Sequence, residues 1–454
     1  MLYFLIKLMA ITAIRTFFNK ISAENVDYIA KDTPIIFTAN HPNTMMDPMI
    51  IGYTCKRKLH FFAKSTLFNN LIAGWFLRRI QIVPVYRKVD DPSKMDQNQE
   101  TFSKGYEILK QNKAFLIFPE GISTGDRILS QIKTGAARIG FGAEAENDWQ
   151  LGVQIIPVGL NYTNAIKFRS DVSTRFGQPI QLTDFRDVYE QNEKEGVHLV
   201  TEQIETALSK LTINLKDLEM QEIVEALERI YKQELAVDLG LETDNKADDF
   251  SVTKGLINAV EWYYENEPSK VNEFKGMLNL YQRLLNRLQI KDEFLDPASS
   301  RVTFWERIKA ILYIIIMFPI YLYGLINNVI PYKFPRWYAR HFVQHKAEVA
   351  PWKMLSGTII FLIYYPIEII IFASLTGSFI WTFIYALSLI PSGNFVLQYI
   401  NRVSDYRQHL RFISVFYKKR TLIYELIKQR TEIIDLLNSY KIEYMDTMGL
   451  NPEK

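Results

Sequence analysis

The sequence predicts an α/β layered domain, followed by a helical region and then by C-terminal membrane helices. Three observations carry that prediction. From Lys31 to Gln178 short apolar runs alternate with amphipathic stretches, as strands separated by helices do. From Leu182 to Asp296 helix formers and charge dominate, with few strand signals. Beyond them, Ala310 to Ile330 carries no charged side chain, and Leu355 to Ile390 is interrupted only by Glu368; such lengths suit membrane crossing.

Taken in order, Met1 to Lys20 is apolar but carries Lys7, Arg15 and Lys20, and no small-residue cleavage site follows it. It reads as a helix in the membrane interface or as a short anchor. Five strands follow: Pro34–Thr38, Leu59–Ala63, Ile82–Tyr86, Phe115–Phe118 and Val153–Val158. Helical segments lie near Leu67–Arg78, Gln97–Gln111 and Thr134–Ala145. In the next region Val197–Leu211, Leu218–Val237 and Asn272–Ile290 have apolar residues three and four apart, and Asp238–Asp249 reads as an exposed linker. The segments are thus 1–30, a membrane-associated helix; 31–181, a catalytic domain; 182–300, a helical subdomain; 301–400, a transmembrane or re-entrant region; and 401–454, a basic amphipathic tail.

Composition narrows the function. A net charge of +3 on 454 residues gives no global sign of a nucleic-acid binder. The single cysteine, Cys55, excludes an intramolecular disulfide framework and a cysteine-rich zinc site, and no metal cluster is visible.

Chemistry concentrates where strands end. In Asn40-His41-Pro42-Asn43-Thr44-Met45-Met46-Asp47-Pro48, His41 falls where a strand ends and Asp47 where a helix begins. Pro48 suits the first helical position and Asp47 the N-cap before it. A carboxylate that orients an imidazole makes it a good general base; alternatively, Asp47 only caps a helix and His41 only lines a turn. Arg87 closes the third strand, and arginine presents a fixed fork of donors to phosphate. Phe118-Pro119-Glu120-Gly121 closes the fourth, and the glycine permits a tight turn or a close ligand approach. Ile156-Pro157-Val158 lies in the fifth, where Pro157 would shape the end of an edge strand.

These four blocks, in this order, resemble the phospholipid and glycerol acyltransferase family, the lysophosphatidic-acid-acyltransferase-like superfamily. The resemblance runs from about Asp32 to Gln178 and includes Phe62-Ala63-Lys64, Leu67-Phe68 and Lys133-Thr134-Gly135-Ala136. It implies a glycerophospholipid acyltransferase-like fold with His41 and Asp47 as the catalytic pair. It implies that Arg87 binds a glycerol phosphate, that Glu120 and Gly121 lie in acceptor binding, and that Pro119 and Pro157 shape the acyl pocket or the surrounding structure. Lys133 and Arg127 are further candidates for phosphate contact. The family's common pattern has four residues between His and Asp where this chain has five, and an arginine after Gly121 where this chain has Ile122-Ser123. The wider spacing resembles the branch of fungal-type glycerol-3-phosphate and dihydroxyacetone-phosphate acyltransferases.

The implied reaction moves a fatty acyl group from acyl-CoA or acyl carrier protein to glycerol-3-phosphate or dihydroxyacetone phosphate. Acylation of lysophosphatidic acid is the alternative, and a non-catalytic lipid-binding scaffold is the alternative of another class. The donor is a substrate and no resident cofactor is expected; the expected partners are the acyl donor, the phosphorylated acceptor and membrane lipids. Trp305, Trp337, Trp352 and Trp381 include interfacial anchors. Basic residues flank both apolar stretches, which by the positive-inside rule favours a re-entrant first segment, a spanning hairpin turning near Thr376-Gly377-Ser378, and a catalytic domain on the cytoplasmic side. Glu368, costly in lipid, is expected to face protein or water, or to be protonated.

Overall fold

A computed structural model describes residues 2–79, 82–86, 93, 96, 98–243, 245–295 and 304–450. They form two compact units: Met1–Leu215 with Pro335–Thr358, and Lys216–Phe334 with Ile359–Lys454.

The first unit contains α1 (Leu2–Phe17), β1 (Lys20–Glu24), β2 (Ile35–Ala39), α2 (Met46–Thr54), β3 (Leu59–Lys64), α3 (Leu71–Arg79), β4 (Ile82–Val85) and α4 (Asn98–Lys110). It continues with β5 (Ala114–Ile117), α5 (Gly135–Ala145), β6 (Gln154–Tyr162), β7 (Asp171–Phe176), β8 (Ile180–Gln181), α6 (Arg186–Gln191) and α7 (Glu193–Leu211). One mixed sheet runs β1-β7-β6-β2-β5-β3-β4, with β8 also on β6. β2 is central and parallel to both β5 and β6. All its residues are buried, as a strand covered on both faces requires.

Successive β2 side chains point to opposite layers. Ile35, Phe37 and Ala39 pack with Ile50 and Ile51 of α2 and with Ile14 and Phe17 of α1. Ile36 joins Phe115 and Ile155 against Ile139 of α5 and Val200, Ile204 and Leu208 of α7. The helical segment 193–211 therefore belongs to the catalytic unit, not to a separate subdomain starting at 182. The N-terminal helix is likewise not purely a membrane element. Ile14, Phe17 and Phe18 lie in the core, whereas Leu8 and Met9 are exposed.

Three strands escaped the sequence reading. β1 is short and polar-rich, and β7 reads Asp171-Val172-Ser173-Thr174-Arg175-Phe176, burying only alternate residues. β8 has two residues. Their presence moves Pro157 from a sheet edge to the interior of a central strand, opposite Thr38. The Pro157 carbonyl accepts from Gly177 N–H, so its nitrogen faces the same side, at the break between β7 and β8. The missing N–H thus costs no ladder bond.

The second unit holds α8 (Leu218–Ile230), α9 (Lys232–Asp238), α10 (Lys246–Asn266), α11 (Pro268–Leu288) and most of α12 (Phe304–Phe342) and α13 (Val349–Thr376). α14 (Phe379–Lys418) and α15 (Arg420–Thr447) complete it. Asp217 and Asn245 cap α8 and α10, accepting from Met220 N–H and Ala247 N–H. Tyr231, Phe274, Leu278 and Tyr281 of this bundle pack with Ile423, Leu426, Ile433 and Leu437 of α15. Leu280 of α11 lies off this buried stripe and is exposed. Tyr231 donates to Asn438 at 2.6 Å and Lys270 pairs with Glu443 at 2.6 Å. The greater part of the expected basic amphipathic tail, α15, is therefore a core element, because its apolar stripe is buried against α8–α11.

Among the described residues three helices, Ile308–Phe342, Lys346–Thr376 and Phe379–Gln408, are long and apolar enough to cross a membrane, and the chain is a membrane protein. The hairpin turns at Gly377 as expected. The first segment differs from expectation: α12 runs unbroken through Pro319 and Gly324 for 39 residues. At 1.5 Å per residue that is about 58 Å, well over the ~30 Å of a hydrocarbon core. Close packing accompanies its middle turns. A Cβ on Gly324 would meet the Ser392 carbonyl oxygen at 2.6 Å and Val396 Cγ2 at 2.7 Å. Polar contacts flank that crossing, with Tyr365 donating to Asn328 and Tyr385 to Asn327. Glu368 faces protein, hydrogen-bonded to Tyr364.

Gly324→Val is expected to lower the melting temperature in detergent by several degrees, because overpacking against a backbone carbonyl costs about 1–3 kcal/mol. Gly276→Ala, with open space around it, should melt as the parent does or slightly above. Equal melting of Gly324→Val and the parent would contradict the close crossing.

Candidate active site

The turn after β2 is built from side chains that reach back to the backbone. Asn40 extends the pairing of β2 with β6: its Oδ1 accepts from Leu160 N–H at 2.7 Å and its Nδ2 donates to the Leu160 carbonyl at 3.0 Å. His41 follows, its N–H donating to Glu120 Oε1 at 2.8 Å. Asp47 does not cap α2 as its sequence context suggests. The helix begins two residues earlier, at Met46 with Met45 as its N-cap, and the carboxylate turns back into the loop. There Oδ2 accepts from Asn43 N–H at 2.7 Å and meets His41 Nδ1 at 2.8 Å. Its other oxygen accepts from the Tyr162 hydroxyl at 2.5 Å.

Donors on both oxygens leave Asp47 as the acceptor, so Nδ1 of His41 carries a hydrogen, and in the neutral imidazole the lone pair is on Nε2. Asp47 is fully buried and the His41 side chain is 19% exposed, which leaves the imidazole accessible to a reactant. Phe118 stacks on that ring with centroids 3.8 Å apart, holding its plane. Burial and the Asp47 carboxylate push the Tyr162 hydroxyl well above its ordinary value, so it stays a donor. Such an arrangement has the chemistry a general base needs: an oriented imidazole at the end of a central strand.

Glu120 braces this turn. Its Oε1 takes the His41 N–H and its Oε2 the Ser130 N–H, at 2.9 Å, and it is 6% exposed. Burial raises its carboxyl above the ordinary range, opposed by those two backbone bonds. An acceptor contact through Glu120 would have to compete with them. Glu120→Gln leaves one of the two backbone donors facing an amide NH₂. An unpaired buried donor costs about 1–3 kcal/mol, so turnover should fall about tenfold, read as initial rate of acyl transfer. Unchanged turnover would remove the brace.

Residues 20–161 match the family model described as Acyltransferase. This segment is an acyltransferase domain. A curated relative in Saccharomyces cerevisiae, Glycerol-3-phosphate O-acyltransferase 1, is 24% identical over 58% of this chain and 36% of its own length. Glycerol-3-phosphate O-acyltransferase 2 of the same yeast is 32% identical over 30% of this chain and 18% of its own. The 1-acyl-sn-glycerol-3-phosphate acyltransferase of Streptococcus pneumoniae is 28% identical over 41% of this chain and 64% of its own. The matched stretches thus cover about a third and a fifth of the two yeast proteins.

Within the acyltransferase domain the expected site residues separate into groups. His41, Asp47, Pro119, Glu120 and Gly121 come together. Gly121 has φ +71° and donates its N–H to Phe118, so that N–H is already used within the turn. Lys133, two residues before α5, folds over this turn. A Cβ on Gly121 would lie 2.5 Å from its Nζ, so any larger residue would displace the ammonium as well as strain the positive φ. The Lys133 N–H also donates to the Pro119 carbonyl. Arg127 donates to the Thr163 carbonyl at 3.4 Å, and its own carbonyl accepts from Leu215. Pro157 stands within β6, opposite Thr38 and not in the turn. Arg87 lies outside the described residues. Among the described residues no group of three His, Cys, Asp or Glu is placed to hold a metal ion.

Several contacts of the turn that carries His41 and Asp47 escaped the sequence reading. Tyr162 lies 115 positions from Asp47, and only its place at the end of an apolar run marks it. Thr44, with φ +29°, donates from its hydroxyl to the Ala347 carbonyl, 303 positions away, and its N–H donates to Ser123 Oγ. Lys346, next to Ala347, pairs with Asp126 at 2.5 Å. The loop joining α12 to α13 thereby becomes part of the wall of the catalytic turn.

Proposed function

We propose that this chain is a membrane-bound O-acyltransferase of phospholipid synthesis. It moves a fatty acyl group from acyl-CoA or acyl carrier protein to glycerol-3-phosphate or dihydroxyacetone phosphate. The observation that carries this reading is the His41 imidazole, held by buried Asp47 with Nε2 unencumbered beside the Phe118–Gly121 turn. An alcohol is a weak nucleophile at neutral pH. His41 Nε2 takes the proton of the acceptor hydroxyl as its oxygen attacks the thioester carbonyl. The tetrahedral intermediate collapses, the carbon–sulfur bond breaks, and the imidazolium returns the proton to the departing thiolate. Asp47 stabilises the imidazolium between these steps. Arg87 and Lys133 are assigned to the acceptor phosphate, which positions the hydroxyl. The two yeast relatives, named for glycerol-3-phosphate, support that acceptor.

The pneumococcal relative, named for 1-acyl-sn-glycerol-3-phosphate, supports a second reading in which lysophosphatidic acid is acylated. The catalytic unit is assigned to the cytoplasmic side, where acyl-CoA and acyl carrier protein are found and where the basic flanks of the spans would be retained. Purified protein in lipid is to be offered labelled acyl-CoA with each of the three acceptors separately. Product from glycerol-3-phosphate or dihydroxyacetone phosphate is the expected result. Product from lysophosphatidic acid alone would select the second reading, and no product from any would leave a lipid-binding scaffold.

A further inference from the structure

The α12–α13 connection carries a cluster that the catalytic turn does not use. The last turns of α12 pack against the first turns of α13. Tyr338 meets Trp352 with ring centroids 5.6 Å apart, and a Cβ on Gly357 would touch Pro335 Cγ at 3.4 Å. Three cations gather at this crossing. Arg336 and Arg340 are one helical turn apart and exposed, and their charges bear on Lys353. Lys353 donates to the Ile166 carbonyl at 3.1 Å, which leaves two of its three ammonium hydrogens unassigned. Among the described residues, no carboxylate pairs with any of the three. Like charges held together without a counter-charge destabilise the bare protein, and an anion between them removes that cost.

We propose that Arg336, Arg340 and Lys353 form a binding site for the phosphate of an anionic membrane phospholipid. Two guanidinium forks and an ammonium suit phosphate oxygens. The surroundings select a lipid over a free phosphate. Trp337, Phe342 and Trp352 are exposed beside the cations, at the facing ends of two helices long enough to span a bilayer. Exposed aromatic rings at helix ends mark the headgroup level, where anionic lipids concentrate. The first turns of α13 are also anchored in the catalytic core through Ala350 and Met354. The next loop inward, at Lys346 and Ala347, holds Asp126 and Thr44. A lipid phosphate at the crossing would therefore steady the loop that borders His41. The site rests on the membrane helices and not on the acyl-transfer reading, and it is tested by binding.

The full chain is to be placed in bilayer discs of phosphatidylcholine alone or of phosphatidylcholine and phosphatidylglycerol in a four-to-one mixture. Phosphatidylglycerol is a diester and so stands apart from the expected acceptors. The parent should melt several degrees higher in the mixture and retain phosphatidylglycerol after extraction. Arg336→Gln/Arg340→Gln, at two exposed positions, should lose most of the shift and retain several-fold less lipid. Arg407→Gln/Lys419→Gln removes the same charge elsewhere and should behave as the parent. Equal loss in both double variants would make the effect one of general surface charge and overturn the site. So would a full shift in Arg336→Gln/Arg340→Gln. Inorganic phosphate with phosphatidylcholine discs should not move the melting temperature; an equal rise would assign the cluster to free phosphate instead of lipid.

Discussion

His41→Ala is expected to lower acyl transfer by about 10²- to 10⁴-fold, the usual contribution of a positioned general base. The loss should fall on kcat, with the acceptor KM little changed, because the imidazole acts on the proton and not on the phosphate. Folding should survive. The His41 backbone N–H still reaches Glu120, and removal of the half-buried ring leaves Phe118 with one open face. A melting temperature close to the parent's, beside the lost turnover, separates a missing base from a missing fold. Turnover within a few-fold of the parent would place the base elsewhere.

Asp47→Asn is the second large effect, and Tyr162 makes its outcome informative. The new amide has two orientations. With its oxygen toward His41, it keeps the Nδ1 hydrogen but has no charge to stabilise the imidazolium, and its NH₂ turns Tyr162 from donor to acceptor. With its NH₂ toward His41, it reverses the tautomer and opposes Asn43 N–H. Either orientation should cost about 10²- to 10⁴-fold in kcat. Tyr162→Phe removes only the donor on Oδ1, at about 1–3 kcal/mol, and keeps the charged carboxylate on His41. Its rate should fall far less than that of Asp47→Asn although its melting temperature falls as much or more. Equal rate losses in the two variants would mean that Asp47 acts only as a structural hydrogen-bond acceptor.

Much of the catalytic unit was legible in the sequence because its information is local. Pro34–Thr38 reads as a buried strand from its apolar run, and the observed strand is Ile35–Ala39. The hairpin between the later spans was marked by Thr376-Gly377-Ser378, and Gly377 takes the positive φ that such a turn needs. His41 and Asp47 were paired from a strand–turn–helix corner, and they stand in contact. The local rule that placed Asp47 at the N-cap failed because the His41 imidazole, a backbone N–H and a tyrosine outcompete the helix end for its oxygens. What local patterns do not encode is pairing across the chain. β7 buries only every other residue and looks polar until β1 and β6 flank it. The α15 stripe looks like a free amphipathic tail until α8–α11 cover it. The bond from Thr44 to Ala347 joins the catalytic turn to a loop between two membrane helices, and no periodicity in either segment announces it.

The most direct test is transfer of label from acyl-CoA to glycerol-3-phosphate by the purified full chain in lipid, parent beside His41→Ala. The parent should yield labelled acylglycerol phosphate and the variant almost none at equal folded protein. Equal labelling by the two proteins, or none by the parent with any of the three acceptors, would contradict the proposed acyl transfer through His41.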